Sequence, residues 1–392
     1  MKGKEKMKEL DNICLSLEHD FKSYHSISPE IVQTSSFQFE NFDRYVKVNA
    51  HHEFAYTYTR GDNPTLELLE NKIAQLEKGE CARSFASGMG AISATILSLL
   101  KKDDHVVIVN TVYGSAVKLI QSLERFGIQS TKIDVKDTKE IFQYIQDNTK
   151  MIYFESPSSQ KFEMLDLEII SQYAKERDII TAIDNTWSTP LFQNPLTFGI
   201  DVVIHSCSKY IGGHSDLVGG IVVTRRELMN KIEDFGQILL GATMSPMNAW
   251  LSLRGLRTLP VRLKAQEESV KKVIHYLDHH QHIKRVYHPL VHTKKEIKDK
   301  YLKGYGSLFG FVLKDANPQI IQRFVDSLEY FTLAYSWGGF ESLVLPVFKG
   351  DNESELQQRG LDLGHIRMYI GLEETELLLN DLEQALKKAY QE

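Results

Sequence analysis

Cysteine is scarce in this chain: Cys14, Cys81 and Cys207 are the only three in 392 residues. They lie too far apart for a metal site or a disulfide framework, and they suit a reducing cytoplasm, the compartment we expect. No uninterrupted apolar run is long enough to span a bilayer. The basic, polar opening MKGKEKMKEL is followed by no apolar stretch of the kind a secretory signal needs. Excess basic charge is missing too. The net charge of −6 is spread along the chain and argues against nucleic acid as a partner. GxxxxGK[ST], GxGxxG and GxSxG do not occur, so P-loop, dinucleotide-binding and serine-hydrolase chemistry lack support. The 14 histidines are scattered, and the pairs His51-His52 and His279-His280 are adjacent rather than metal-spaced.

What is present reads as an ordinary globular chain, 42% hydrophobic and 25% charged. Its length predicts two domains behind an N-terminal extension. Residues 1–55 are expected to be an irregular arm, opened by a short helix, that lies on a neighbouring subunit. From Asn63 the pattern becomes helical, with apolar residues at 66, 69, 73 and 76, Asn63 as cap, Pro64 in the first turn and Gly79 as the stop. Residues 56–250 then alternate short apolar strands (HVVIVN, STKIDV, MIYFES, IITAIDN, DVVIHS, GGIVVT) with amphipathic helices. That alternation predicts an α/β domain with a mostly parallel sheet. Residues 251–392 read as a smaller α+β domain, entered by a long helical region expected to break near Pro260.

Ligands of such sheets gather beyond the carboxyl ends of the strands, where Glu155, Asp184 and Ser206 to Lys209 are expected. Lys209 stands in HSCSKYIGGHSD, between a strand and a glycine-rich turn. Its amine can condense with a carbonyl compound while Ser206 and Ser208 hold a phosphate; a strand-end lysine also serves simply by reaching solvent. Ser87-Gly88-Met89-Gly90 precedes an apolar helix and is either an anion cradle or a plain turn. Asp184, in AIDNTW, can keep a pyridinium nitrogen protonated or cap a turn. Arg367, in GHIRMYIGLE, can clamp a carboxylate with two parallel hydrogen bonds or sit on a strand surface. Tyr58 and Arg60 are candidates for phosphate contact and Tyr113 for stacking on an aromatic ring, unless they only pack.

Taken in order, FASGMGAISA, ESPSS, AIDNTW, SCSKYIGGHSD, LRGLRTLPVR and AYSWGGFESL resemble the pyridoxal-phosphate (PLP) enzymes of cysteine and methionine metabolism. The resemblance runs from about Ser35 to the C-terminus. It implies the aspartate-aminotransferase-like fold (PLP fold type I) and a homotetramer built from two active dimers. It further implies that Lys209 carries PLP as a Schiff base, that Asp184 partners the pyridine nitrogen, and that Gly88, Met89, Ser206 and Ser208 hold the phosphate. Tyr58 and Arg60 would be lent to the phosphate of a neighbouring subunit. Tyr113 would stack on the ring and assist elimination, while Arg367 takes the substrate carboxylate with Ser336 beside it. Trp337 directly after Ser336, and Ser159 where many γ-acting members carry asparagine, resemble the bacterial cystathionine β-lyase branch. Ser115 stands where methionine γ-lyases usually carry cysteine, whereas DNPT at 62–65 is closer to the γ-acting pattern. The expected activity is therefore β-elimination from cystathionine or another cysteine S-conjugate, with cystathionine γ-lyase, γ-synthase or methionine γ-lyase as alternatives. Outside enzymology the alternative is a catalytically silent PLP-fold binding protein. Trp337 and the aromatic residues Phe37, Phe39, Phe42, Phe54 and Tyr56 are expected either to line an apolar distal pocket or to pack the arm.

Overall fold

The computed structural model describes residues 2–17 and 25–391; residues 1 and 18–24 of the expected arm lie outside this range. Seven strands form the larger sheet: β1 (Cys81–Phe85), β2 (His105–Val109), β3 (Gln129–Ile133), β4 (Thr149–Glu155), β5 (Ile180–Asp184), β6 (Val202–Ser206) and β7 (Gly220–Thr224). Their order is β1-β7-β6-β5-β4-β2-β3, parallel throughout except that β7 runs antiparallel to both β1 and β6. Strands buried on both faces need continuous apolar runs rather than alternation, and β2 is buried at all five positions. Helices on both faces supply the two layers of core. One layer runs through Val107, Ile152 and Ile183, the other through Val106, Met151 and Ile204.

β1 went unread in the sequence because CARSF carries polar residues in mid-strand. Glu70, on the helix Pro64–Glu77, makes that strand possible. It accepts from Arg83 at 2.9 Å and from the backbone N–H and hydroxyl of Ser84 at 2.8 and 2.6 Å. The helix itself begins as expected, with the Asn63 side chain accepting from Thr65 N at 2.9 Å and Pro64 in the first turn. It ends one residue earlier than expected, since Lys78 and not Gly79 takes the left-handed position at φ 60°.

Five further strands form a second sheet: β8 (Ile283–Tyr287), β9 (Leu308–Leu313), β10 (Thr332–Leu333), β11 (Leu343–Pro346) and β12 (His365–Tyr369), in the order β10-β11-β12-β9-β8. The helices Pro318–Ser327 and Thr375–Tyr390 pack against it around Phe311, Phe324 and Leu382. Between the sheets runs one helix of 33 residues, Pro246–Asp278. The expected break at Pro260 does not occur. A proline removes one helical N–H, but the turns on both sides are anchored by buried Leu253, Leu256, Leu259 and Leu263, so the helix stays continuous.

The N-terminal segment opens with the short helix expected of it. Its first helix, Lys2–Leu15, docks on its own chain, with Leu10 and Cys14 inside the first core layer. Lys72 donates to the Ser16 carbonyl at 2.8 Å. A second helix, Phe42–Asn49, buries none of its residues and exposes Phe42, Tyr45 and Val46.

Candidate active site

The carboxyl ends of β4, β5 and β6 meet the loop 334–341 from the second sheet, and the chemistry-bearing residues converge there. Lys209 follows β6. Two contacts hold its backbone. Arg262, buried on the long helix, donates to the Tyr210 carbonyl at 2.8 Å, which is the part that LRGLRTLPVR plays in the fold. Gly338, at φ 93°, lies so close that a Cβ there would be 2.7 Å from the Lys209 carbonyl carbon, so only glycine fits. Ser336 precedes it at φ 88°, a left-handed conformation that costs a non-glycine residue about 1–3 kcal/mol. The strained turn delivers its hydroxyl to the Lys209 amine at 2.5 Å. Trp337 lies edge-on to Tyr210 at 5.4 Å, and its ring centre is 5.7 Å from the same amine.

Burial is the largest influence on that amine, followed by the positive charge of Arg367; Asp184 opposes both. The result is a lysine lowered to about 8. A lysine so shifted presents far more neutral, nucleophilic amine near pH 7 than an exposed one.

Asp184 ends β5. Burial raises its carboxyl above the usual range, and the strongest opposing effects are hydrogen bonds from Thr186, whose N–H lies at 3.0 Å and hydroxyl at 2.5 Å. His205 and Lys209 also favour its charged form. His205 in turn is buried against Glu77 at 2.6 Å, and Glu77 also accepts from Asn185 at 2.8 Å. No local pattern in the sequence signals this Glu77–His205 support. The partners are 128 residues apart, and only the sheet brings them together.

Ser87 caps the helix Gly88–Leu99 by accepting from Gly90 N at 2.9 Å. The N–H groups of Gly88 and Met89 have no intrahelical acceptor, as in the first turn of any helix. Gly88 abuts Ser206: an added Cβ would be 3.0 Å from the Ser206 Cβ and 3.1 Å from its Oγ. Ser208 shares a hydrogen bond with Gly219, donated by Gly219 N at 3.1 Å. Met89 turns its side chain into the second core layer, which leaves its backbone to face any anion.

Arg367 projects from β12, where it is opposite Leu345 and Gly310. Among the described residues it has no hydrogen-bond or ion-pair partner, and burial holds it below its ordinary value, with Glu155 and Tyr113 opposing. Tyr113 is half exposed and begins the helix Gly114–Ser122. Its N–H donates to Glu155 at 2.6 Å, and Ser159 donates its hydroxyl to the other oxygen of Glu155. The sequence puts Glu155 at the sheet edge, and only the structure shows what it holds. The signal available was a carboxylate at the end of a parallel strand, four residues before Ser159.

Tyr58 and Arg60 stand apart from this group. Both are exposed, the Arg60 guanidinium lies 5.1 Å from the Tyr58 ring centre, and they border a surface recess with Ser35, Thr243 and Ser245. The arm aromatics pair with one another, Phe37 with Tyr56 at 5.5 Å, Phe54 with Tyr56 at 5.2 Å and Phe39 with Tyr45 at 5.2 Å. Among the described residues none of them is paired with Trp337. Within one chain they pack the arm.

The donors suit pyridoxal phosphate. An amine of lowered basicity, a buried carboxyl held by Thr186, and a helix N-terminus opposite a serine match its aldehyde, ring nitrogen and phosphate. The unpartnered Arg367 leaves a cationic place for a substrate carboxylate. Among the described residues no cluster of metal-ligating side chains occurs, and no helix is long and apolar enough to cross a membrane.

The sequence profile of the family described as Cys/Met metabolism PLP-dependent enzyme matches residues 13–387, a longer reach than the motifs alone suggested. An L-methionine gamma-lyase of Fusobacterium nucleatum subsp. polymorphum is 37% identical over 93% of this chain and 94% of its own length. A cystathionine beta-lyase of Lactococcus lactis subsp. cremoris (strain MG1363) is 36% identical over 94% and 96%. Among solved structures, a cystathionine gamma synthase from Xanthomonas oryzae pv. oryzae superposes with a TM-score of 0.90 at 33% identity, covering 97% of this chain and 98% of the other. A putative O-acetylhomoserine (thiol)-lyase from Campylobacter jejuni, with a pyridoxyl-lysine-phosphate group, superposes with a TM-score of 0.88 at 31% identity over 96% and 99%. Fold type I, the converging donors and these matches lead to one assignment: the chain belongs to the PLP-dependent enzyme family of cysteine and methionine metabolism.

Proposed function

We propose that the protein is a carbon–sulfur β-lyase that cleaves cystathionine or another cysteine S-conjugate to a thiol, pyruvate and ammonia. The observation that carries this reading is the Ser336–Trp337 turn closed over Lys209. β-Elimination needs a base at the substrate Cα only, whereas γ-elimination needs the same amine to reach Cβ as well. A tryptophan ring 5.7 Å from the amine narrows the space in which that second reach would take place. Identity in the mid-thirties with both β- and γ-acting relatives supports the family without separating its members.

Each residue has a task. Lys209 would hold the cofactor aldehyde and, once displaced by the substrate amine, take the Cα proton. Asp184 would keep the ring nitrogen protonated, and Gly88, Met89, Ser206 and Ser208 would hold the phosphate through backbone N–H groups and hydroxyls. PLP supplies an electron-withdrawing ring that stabilises negative charge at the substrate Cα. Arg367 would bind the α-carboxylate with Ser336 close by, Ser159 would border the ring edge, and Tyr113 would stack on it and donate a proton to the departing sulfur. The released 2-aminoacrylate hydrolyses to pyruvate and ammonia.

The exposed helix Phe42–Asn49 and the exposed Tyr58–Arg60 pair support a homo-oligomer, a tetramer of two active dimers, in which the arm reaches a neighbouring subunit. We divide the chain accordingly into the arm 1–55, a cofactor domain 56–250 and a smaller domain 251–392. Product analysis with cystathionine tests the reading. Pyruvate with homocysteine supports it, and 2-oxobutyrate with cysteine replaces it by γ-elimination.

A further inference from the structure

Glu155 ends β4, and its register partner on β5 is Asp184, so two carboxyls stand side by side at one sheet edge. Both Glu155 oxygens are engaged, one by the Tyr113 N–H at 2.6 Å and the other by the Ser159 hydroxyl. Arg367 reaches the same place from the second sheet, close enough that each perturbs the ionisation of the other. Glu155 thus touches the segment that carries Tyr113 and lies beside the cation that would receive the substrate carboxylate.

We propose that Glu155 is a positioning residue that keeps Tyr113 in place while absorbing the change of charge when the substrate carboxylate reaches Arg367, taking up a proton from solvent as that carboxylate binds. This rests on the proposed function only in assigning the substrate carboxylate to Arg367. A carboxylate seated on Arg367 becomes the third acidic group in a buried space already holding Asp184 and Glu155, and it takes up the positive charge that had favoured an ionised Glu155. Asp184 receives two hydrogen bonds from Thr186 and faces His205 and Lys209, all of which favour its charged form. Glu155 has weaker support. Burial and Asp184 raise it to about 8, against the hydrogen bonds from Ser159 and Tyr113 and the charge of Arg367. Tyr153, buried on the same strand, is a further titratable neighbour. The incoming proton therefore goes to Glu155.

Protonation leaves the placement of Tyr113 intact. The carbonyl oxygen of a neutral Glu155 still accepts from the Tyr113 N–H, while the Ser159 hydroxyl can reverse from donor to acceptor. Glu155 meets the charge of Arg367 only when ionised, above about pH 8, whereas a bound substrate carboxylate meets it directly. Linkage then sets the sign. Ligand binding raises the Glu155 carboxyl further, so carboxylate affinity is full below pH 8 and falls as pH rises above it.

The test uses the holoenzyme and 3-(methylthio)propionate, which has the carboxylate and thioether but no amine to engage the cofactor. Calorimetry at pH 8.5 in two buffers of different ionisation heat counts the protons taken up. Wild type is expected to take up a substantial fraction of one proton per site, with Kd rising by up to about tenfold per pH unit above 8. Glu155→Gln keeps an acceptor for Tyr113 but cannot titrate, and the proton count and the pH slope should both drop by the Glu155 share. Ser159→Ala keeps the carboxyl and removes a bond that favours its charged form, so the turning point in Kd should move to higher pH. No proton uptake by wild type, or an unchanged count and slope in Glu155→Gln, overturns the proposal. Binding breaks no bond, so this failure leaves the β-lyase reading standing, and product identity decides that one.

Discussion

Replacing Arg367 by methionine separates stability from function in a way that the structure makes quantitative. The guanidinium is drawn into the site without a protein partner, and desolvation dominates its electrostatics. Methionine fills much the same volume on β12 and removes a charge that nothing in the free protein fully compensates. Thermal stability of Arg367→Met should therefore equal or exceed that of wild type. Function should move the other way. Removing one partner of a buried, hydrogen-bonded charge pair costs about 2–5 kcal/mol, which corresponds to a loss in kcat/KM of roughly thirtyfold to several thousandfold. The assay is thiol and pyruvate release under kcat/KM conditions, with Tm of the holoenzyme measured in parallel. A variant that loses activity and Tm together would show Arg367 to be structural. A variant with unchanged kcat/KM would remove it from the substrate site.

The other expectations are simpler. Lys209→Ala should lose the visible absorbance of the covalently held cofactor along with turnover; a cofactor that remains covalently attached, shown by borohydride reduction and mass spectrometry, would refute the role of Lys209. Gly88→Val pushes a branched side chain toward Ser206, whose Cβ is only 3.0 Å from the first added carbon, and should weaken PLP affinity at least tenfold by fluorescence titration; unchanged affinity would move the phosphate elsewhere. His288 is buried, accepts from Leu290 N and shares a hydrogen bond with the Gly306 carbonyl, and burial lowers it to about 3. Its folded value lies below the unfolded one near 6.5, so its contribution is complete above pH 6.5 and lost as pH falls, by up to about 1.4 kcal/mol per pH unit. Denaturant unfolding of His288→Gln from pH 7 to 5 should show a shallower decline than wild type, and parallel curves would contradict the burial argument.

Some of this was legible in the sequence for identifiable reasons. Strands β2, β4, β5, β6 and β7 announced themselves because both of their faces are largely buried, which demands unbroken apolar runs, whereas β3 (QSTKI) is a mostly exposed edge strand. Lys209, Asp184 and Gly88 stood out because each interrupts such a pattern at a strand end or before a helix, where packing gives no reason for a lysine, an aspartate or a glycine. β1 was hidden because Arg83 and Ser84 are satisfied by Glu70, more than ten residues away on a helix. Pro260 misled because a local rule about helices was outweighed by four buried leucines. Glu155 and the Glu77–His205 pair depend on strand register and on a second sheet, which no local pattern encodes. The docking of the first helix through Leu10 and Cys14 has the same origin. Two apolar residues in a polar segment become core only when the helices Pro64–Glu77 and Pro246–Asp278 are placed beside them.

The central claim is that the turn bearing Trp337 directs Lys209 to Cα alone. Its most direct measurement is product identity from cystathionine under conditions of complete turnover. Pyruvate, ammonia and homocysteine are expected in equal amounts, with 2-oxobutyrate absent. Accumulation of 2-oxobutyrate and cysteine in place of pyruvate would contradict it.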